Sequence, residues 1–345
     1  MTALSPERLK RADAWLWRPA ALVGRVLAGA GAVRRRSGAP LIVRPGGMGD
    51  LICAQIAMEE LGEDPRSALW LIERRSAGWA TVQGLPFVAY DDGARAVARV
   101  LGRHPLVVNT EQRFGLSQAL ARAAVGRGGT LACFASNLAA RHARIRVDYD
   151  PFDAHESSEF RRLLAAALGR EAAPGPRARL RRTPSGGELL VGIAGRQSPS
   201  RDLGMGEWRS MVAIWSAGRP VTIAAAPVDR DFARGLAAAL PDARVVEDGF
   251  GDLCDRIARA EAVFSVDGGM VHMASYFGVP TTAVFTSGRS AKWAPLGEGS
   301  AVVRRHDLAC QPCTLWGQTP PCPHRFACKE MTGLVERRPR AGVTA

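Results

Sequence analysis

The sequence predicts an α/β protein of two domains, each a parallel sheet covered by helices, and three observations carry that reading. The chain has 345 residues, enough for two domains at roughly 150 residues each. Short β-branched or apolar runs alternate with Ala- and Arg-rich stretches of helical length, the pattern of parallel strands joined by crossover helices. The alternation runs twice, interrupted by APGPRARLRRTPSGG at residues 173–187, whose Pro, Gly and Arg content marks a linker.

In the first series, strands are expected at Leu41–Arg44, Leu69–Ile72, Leu106–Asn109, Thr130–Phe134 and Ile145–Asp148, followed by a helix over Ser157–Leu168. The second series offers Leu189–Ala194, Val221–Ala225, Arg244–Val246, Ala262–Val266 and Thr281–Phe285. No short repeat of fixed period is present, which excludes a solenoid. Two similar α/β halves facing a cleft is the economical architecture. The boundaries read as an N-terminal extension over 1–38, a first domain over 39–175, a second over 186–330 with a Cys-rich loop at 306–328, and a tail over 331–345.

Composition excludes several classes. Hydrophobic residues make up 47% and charged residues 23%, as in an ordinary globular protein with a sizeable core. No uncharged apolar run reaches the roughly 18 residues of a membrane span. The net charge of +13 comes from 46 basic residues, of which only Lys10, Lys292 and Lys329 are lysines. An Arg and Ala bias of this kind reflects genome composition, and 6% aromatics supply no base-stacking platform, so no nucleic acid is expected.

Six of the thirteen net charges fall within residues 1–38, where Trp15, Leu16, Trp17, Leu22, Val26 and Leu27 are interspersed with arginines. The segment reads as a basic amphipathic helix, with Ser5 as N-cap and a break near Pro19. It suits an anionic membrane surface; the alternative is a helix packed on the domain. Arg18 and Arg25 interrupt the apolar stretch and argue against a cleaved signal. The expected compartment is the cytoplasm, with the protein held peripherally on the inner face of its membrane if the segment binds lipid.

Two turns carry most of the chemistry. The first lies in LIVRPGGMGDLICAQIAMEELG, residues 41–62: a buried strand, a glycine turn, then a helix from about Asp50. Gly46, Gly47 and Gly49 let backbone approach a ligand closely. Asp50 is either an N-cap or a carboxylate aimed at a ligand at the carboxyl end of a parallel strand. GxGxxG spacing and a Walker lysine are both missing, which disfavours a dinucleotide site or P-loop. The second turn, Asp267-Gly268-Gly269, joins a strand to a helix that continues through Met270 and His272. Amides at such a helix start make a nest for a pyrophosphate. His272 is either a phosphate partner or a buried core histidine.

Cys310, Cys313, Cys322 and Cys328 lie within 19 residues, with His306 and His324 nearby. Four thiolates at that density suit a structural Zn or Fe site that staples a loop lacking a core of its own. Reduced thiols and disulfides are the alternatives. Cys53, Cys133 and Cys254 sit in apolar contexts and are expected in the core, as are Trp208, Trp215 and Trp293.

At the two turns the sequence resembles glycosyltransferase family 9, the ADP-heptose glycosyltransferases that include the lipopolysaccharide heptosyltransferases. The family's R-x-G-x-x-GD turn corresponds to Arg44–Asp50, and its D-[ST]-G-x-x-H-x-A-x-x-x-G-x-P block to Asp267–Pro280. Between them, Val191–Trp208 is similar to the element that opens the family's second domain, and His155-Glu156 to its approach between domains. The likeness spans residues 41 to 330, and paired blocks are more specific than either alone.

This resemblance implies a GT-B fold, two Rossmann-like domains with the acceptor bound mainly by the first and the donor by the second. It implies an inverting transfer with no catalytic metal or organic cofactor, from ADP-heptose or another nucleotide-diphosphate sugar to a lipopolysaccharide, lipid-linked or other glycan acceptor. Asp50 matches the general base. The donor site would draw on Gly47 and Gly49, on Asp267, Gly268, Gly269, Met270 and His272, on Arg201 where the family often has Lys, on Asp229 for the ribose, and on Lys292. Gly268 replaces the family's Ser or Thr, and AAAPVDRD at 224–231 departs from its usual glycines and Glu. Two alternatives stand beside this reading: a heptosyltransferase acting on autotransporter-type proteins, whose relatives hold iron in a cysteine finger, and a nucleotide-sugar-binding protein without transfer activity.

Overall fold

The structure, a computed structural model, describes residues 38–173 and 187–331. The expected N-terminal amphipathic helix, the C-terminal tail and most of the linker lie outside the described residues. The chain divides into two compact units, Met1–Ala178 and Arg179–Ala345.

In the first unit, six parallel strands lie in the order β3-β2-β1-β4-β5-β6. They are β1 Leu41–Arg44, β2 Leu69–Ile72, β3 Phe87–Ala89, β4 His104–Asn109, β5 Val125–Phe134 and β6 Ile145–Val147. All four residues of β1 are buried, because it sits between β2 and β4 with helices over the sheet. The crossovers include α1 Met48–Glu60, α2 Ala77–Val82, α3 Ala94–Val97 and α4 Gly115–Ala124, and α5 Glu156–Leu168 follows β6. Leu41, Val43, Leu71, Val107 and Leu131 meet in its core.

The second unit repeats the plan: β12-β11-β10-β7-β8-β9, again parallel. Its strands are β7 Leu189–Ile193, β8 Val221–Ala225, β9 Arg244–Val246, β10 Ala262–Val266, β11 Thr281–Val284 and β12 Ala301–Val303. Helices α6 Met205–Ser216, α7 Arg230–Ala238, α8 Phe250–Arg259, α9 Gly269–Phe277 and the short α10 Ser290–Trp293 connect them. Trp208 is buried and meets Phe264 edge-on at 5.9 Å, so it packs the core as expected. Counted within each unit, both sheets have the strand order 3-2-1-4-5-6, the doubly wound Rossmann order.

The strand expectations miss at the edges. β3 and β12 are three-residue edge strands too short to show a period. β5 starts at Val125 rather than Thr130, because Gly126-Arg127-Gly128-Gly129 reads as a loop. A Cβ on Gly129 would stand 2.8 Å from the His104 carbonyl and 2.9 Å from that of Pro105, so glycine is what lets β5 approach β4 at its register shift. Among the described residues, no helix is long and apolar enough to cross a membrane.

Candidate functional site

In a doubly wound sheet the crossovers reverse direction between strands 1 and 4, leaving a crevice at their carboxyl ends where ligands bind. For the first unit that point lies beyond β1 and β4, and for the second beyond β7 and β10. Both chemically informative turns are there.

In the first unit, Gly47 caps α1 with extended backbone and no side-chain hydrogen bond, and the helix starts at Met48. Asp50 is therefore not the N-cap; it lies inside the first turn. Its Oδ1 stands 3.8 Å from Nη2 of Arg44, and its side chain keeps 23% of its exposure against 2% for Arg44. Arg44 is held from behind: Nη1 donates to the Thr110 carbonyl at 2.9 Å and Nη2 to Oε2 of Glu111 at 3.0 Å. A Cβ on Gly46 would overlap that guanidinium at 2.4 Å, so glycine is needed for the arginine to fold back over its own turn. Burial alone would lower the guanidinium pKa, but Asp50, Glu111 and Glu156 carry it above its ordinary value. Burial pushes the Glu111 carboxyl up, with Arg44 opposing. Glu156 is buried as well and accepts from Tyr149 Oη at 2.7 Å and from Nε2 of Gln112.

Arg44, Asp50 and Glu156 are named above by motif, but the polar partners that join them, Thr110, Glu111, Gln112 and Tyr149, are absent from the expectations. The cluster's sequence signal is Asn109-Thr110-Glu111-Gln112, a polar run directly after a buried strand. Gly47 and Gly49, expected at the donor, belong to this same turn of the first unit.

In the second unit, Gly268 is the N-cap of α9 with extended backbone. Arg201 donates from Nη1 to the Asp267 carbonyl at 3.1 Å, reaching the turn. Arg196 is instead engaged by Asp229 at 3.2 Å, Asp202 at 2.8 Å and the Phe232 ring at 3.7 Å. Asp229 is thus a buried ion-pair partner beyond β8. The Asp267 carboxylate packs on Gly288, where a Cβ would overlap its Oδ2 at 2.4 Å. Met270 lays its side chain over Gly192, 2.7 Å from where a Cβ there would stand. His272 is buried and meets Trp293 edge-on at 5.7 Å, as a packed histidine does. Lys292 is buried on α10. The turn accordingly offers mainly backbone amides and Arg201.

The four clustered cysteines line one cavity together with His324, Thr286 and Gln311. None is in a disulfide. Burial raises the Cys313 and Cys328 thiols, the latter to about 11, with the neighbouring sulfurs adding to it. The Phe326 N–H donates to Sγ of Cys322 at 3.3 Å. In this conformation, no three His, Cys, Asp or Glu side chains among the described residues are placed to hold one metal ion. The Cys313 and Thr314 amides donate to the Ser287 carbonyl, and Ser287 Oγ donates to Ser200 at 2.9 Å. The finger is thereby tied to the loop that carries Arg201.

Residues 237–320 match the sequence profile of glycosyltransferase family 9 (heptosyltransferase). Solved structures of similar fold include E. coli heptosyltransferase WaaC with ADP, at 17% identity over 78% of this chain and 92% of that one, TM-score 0.61. E. coli ADP-heptose lps heptosyltransferase II matches at 13% identity over 87% and 99%, TM-score 0.61. The iron-containing dodecameric glycosyltransferase TibC from enterotoxigenic E. coli H10407 matches at 11% over 88% and 78%, TM-score 0.50. No curated protein matches the chain in sequence. Two parallel Rossmann-like sheets of this order are those of the GT-B fold, which these structures share. The profile match runs from the end of α7 into the cysteine finger and so lies within the second unit.

Proposed function

We propose that the protein transfers a heptose from ADP-heptose, or from a related nucleotide-diphosphate sugar, to a lipopolysaccharide or other glycan acceptor. The observation that carries this reading is that the family-matched segment contains the Gly268–Gly269 helix start at the switch point of the second sheet. Structures similar in fold were solved with ADP and with ADP-2-deoxy-2-fluoro heptose, which supports a donor of this class.

In the proposed reaction the acceptor hydroxyl oxygen attacks the anomeric carbon while its proton passes to Asp50. The bond to the diphosphate breaks with inversion, and the electron pair leaves on ADP. The demand on the base is one of position, because the hydroxyl becomes acidic only as its oxygen bonds to the carbon. The charge developing on the leaving group meets the amides at the start of α9 and the guanidinium of Arg201, fixed groups of the kind that stabilise departing anions. No metal is assigned a step.

The test is a panel of nucleotide sugars screened by thermal shift, followed by ADP release from the best donor. Asp50→Asn is expected to leave donor affinity unchanged and to lower ADP release by about two to four decades. A near-normal rate would remove Asp50 from the mechanism.

A second reading, a protein acceptor with a structural Fe or Zn in the cysteine finger, is favoured by the shared cavity of the four thiols and the fold likeness to an iron-containing relative. Cys310, Cys313, Cys322 and Cys328 would hold the ion and close the loop around it. Elemental analysis after anaerobic purification is expected to give close to one equivalent; below about a tenth of one, this reading is withdrawn.

A further inference from the structure

We propose that Arg44 and Glu111 are positioning residues for Asp50: a guanidinium clamped from behind by a buried carboxylate, its outer edge presented to the carboxylate of Asp50. The inference rests on Asp50 being the base. It goes beyond that reading by assigning a function to a buried charge cluster whose cost the fold does not otherwise explain. Burying an ion pair yields little net stability, and well-packed apolar residues often serve as well. Yet Arg44 and Glu111 are both almost fully buried.

The geometry is directional. Nη1 is fixed by the Thr110 carbonyl and Nη2 by Glu111, and Nε is buried with no hydrogen-bond partner. Glu111 is itself fixed, its Oε1 accepting from the Gln112 N–H at 3.0 Å. The Phe160 ring lies 5.5 Å from the guanidinium carbon, and Gly46 supplies the space. Only the side of Nη2 toward Asp50 meets a partly exposed acid. The cluster spans β1, the loop after β4 and the start of α5, so that it ties Asp50 to both central strands.

Among the described residues, the charged and titratable groups that feel Asp50 include Arg44 and Glu111, with Glu73 after β2 and Tyr149 after β6. Glu156, Tyr90 and Tyr149 also act on or feel Arg44. Of these, Arg44 is the one cation. Its loss and the loss of Glu111 should therefore move the acid limb of the rate profile in opposite directions.

The experiment compares full-length Asp50→Asn, Glu111→Gln and the double variant Arg44→Met/Glu111→Gln. The readout is ADP release from ADP-heptose across pH, with melting temperature and donor affinity as controls. The double variant removes both charges, which avoids stranding Glu111 as an anion against a neutral partner, while Glu156 keeps its hydrogen bonds from Tyr149 and Gln112. Glu111→Gln is expected to move the acid limb of kcat to lower pH, because one competing anion is removed while Arg44 stays beside Asp50. In the double variant the limb should lie about 0.5 pH unit or more above that of Glu111→Gln, with kcat about 10- to 100-fold below the parent and donor affinity unchanged. A general packing defect would lower the rate without moving the limb in opposite directions. Parental kcat and limb in both folded variants, with Asp50→Asn impaired, overturn the positioning role and leave the base intact. A near-normal Asp50→Asn overturns the base and this inference with it. If the double variant does not fold, an unshifted limb in Glu111→Gln is sufficient to overturn the proposal.

Discussion

Arg44 shows how one residue can belong to a motif while its partners stay hidden in the sequence. The R-x-G-x-x-GD spacing marks it, but only the fold puts Glu111, 67 positions later, against its Nη2. Asp50 was open between a cap and a catalytic acid on sequence grounds. Gly47 takes the cap, which leaves the Asp50 carboxylate without that structural task. The core cysteines are legible in a simpler way, since an apolar flank implies burial. Burial raises the Cys133 thiol to about 11 and that of Cys254 to about 12. Both should resist maleimide at pH 7 in the native protein and label only on unfolding; labelling of native Cys133 at a free-thiol rate would contradict its burial. The folded state keeps these protons where the unfolded chain releases them. Their contribution to stability is therefore complete below about pH 9 and lost as pH rises toward 11–12, seen as a falling urea midpoint.

At the scale of elements, buried central strands were readable because a parallel strand covered on both faces is continuously apolar. LIVR, VTIAA and AVFSV stand out for that reason. The start of β5 was hidden, because its glycines serve the approach to the β4 backbone and carry no hydrophobic signal. Gly129→Ala is expected to force β4 and β5 apart at the His104 and Pro105 carbonyls. The cost should be about 1–3 kcal/mol in urea unfolding of the first unit, with donor binding by the second unit retained at temperatures where both are folded. An unchanged urea midpoint would show that the strand pair absorbs the methyl group. The start of α9 makes the same point about function: Asp267-Gly268-Gly269 was visible, but the side chains of Met270 and His272 turn out to pack inward.

For the whole molecule, charge distribution is the property the sequence states best. Residues 1–38 carry six of thirteen net positive charges, and the proposed role is attraction to an anionic surface near a lipid-linked acceptor. Deleting them should leave ADP release intact and weaken binding to vesicles of phosphatidylglycerol and phosphatidylethanolamine, the more so at low salt. Equal vesicle binding by the truncated protein would end the anchoring proposal.

The sequence by itself determined the twofold α/β plan, the two glycine turns and the cysteine cluster. All of these are local patterns, written in periodicity and spacing along a few tens of residues. Tertiary structure decided which groups meet: Glu111 and Glu156 on Arg44, Arg201 rather than Arg196 at the Asp267 carbonyl, and Ser287 between the finger and Ser200. Those pairings depend on the order in which parallel strands are laid beside one another. Crossovers bring residues dozens of positions apart to the same end of a sheet, and no periodicity along the chain records that neighbourhood.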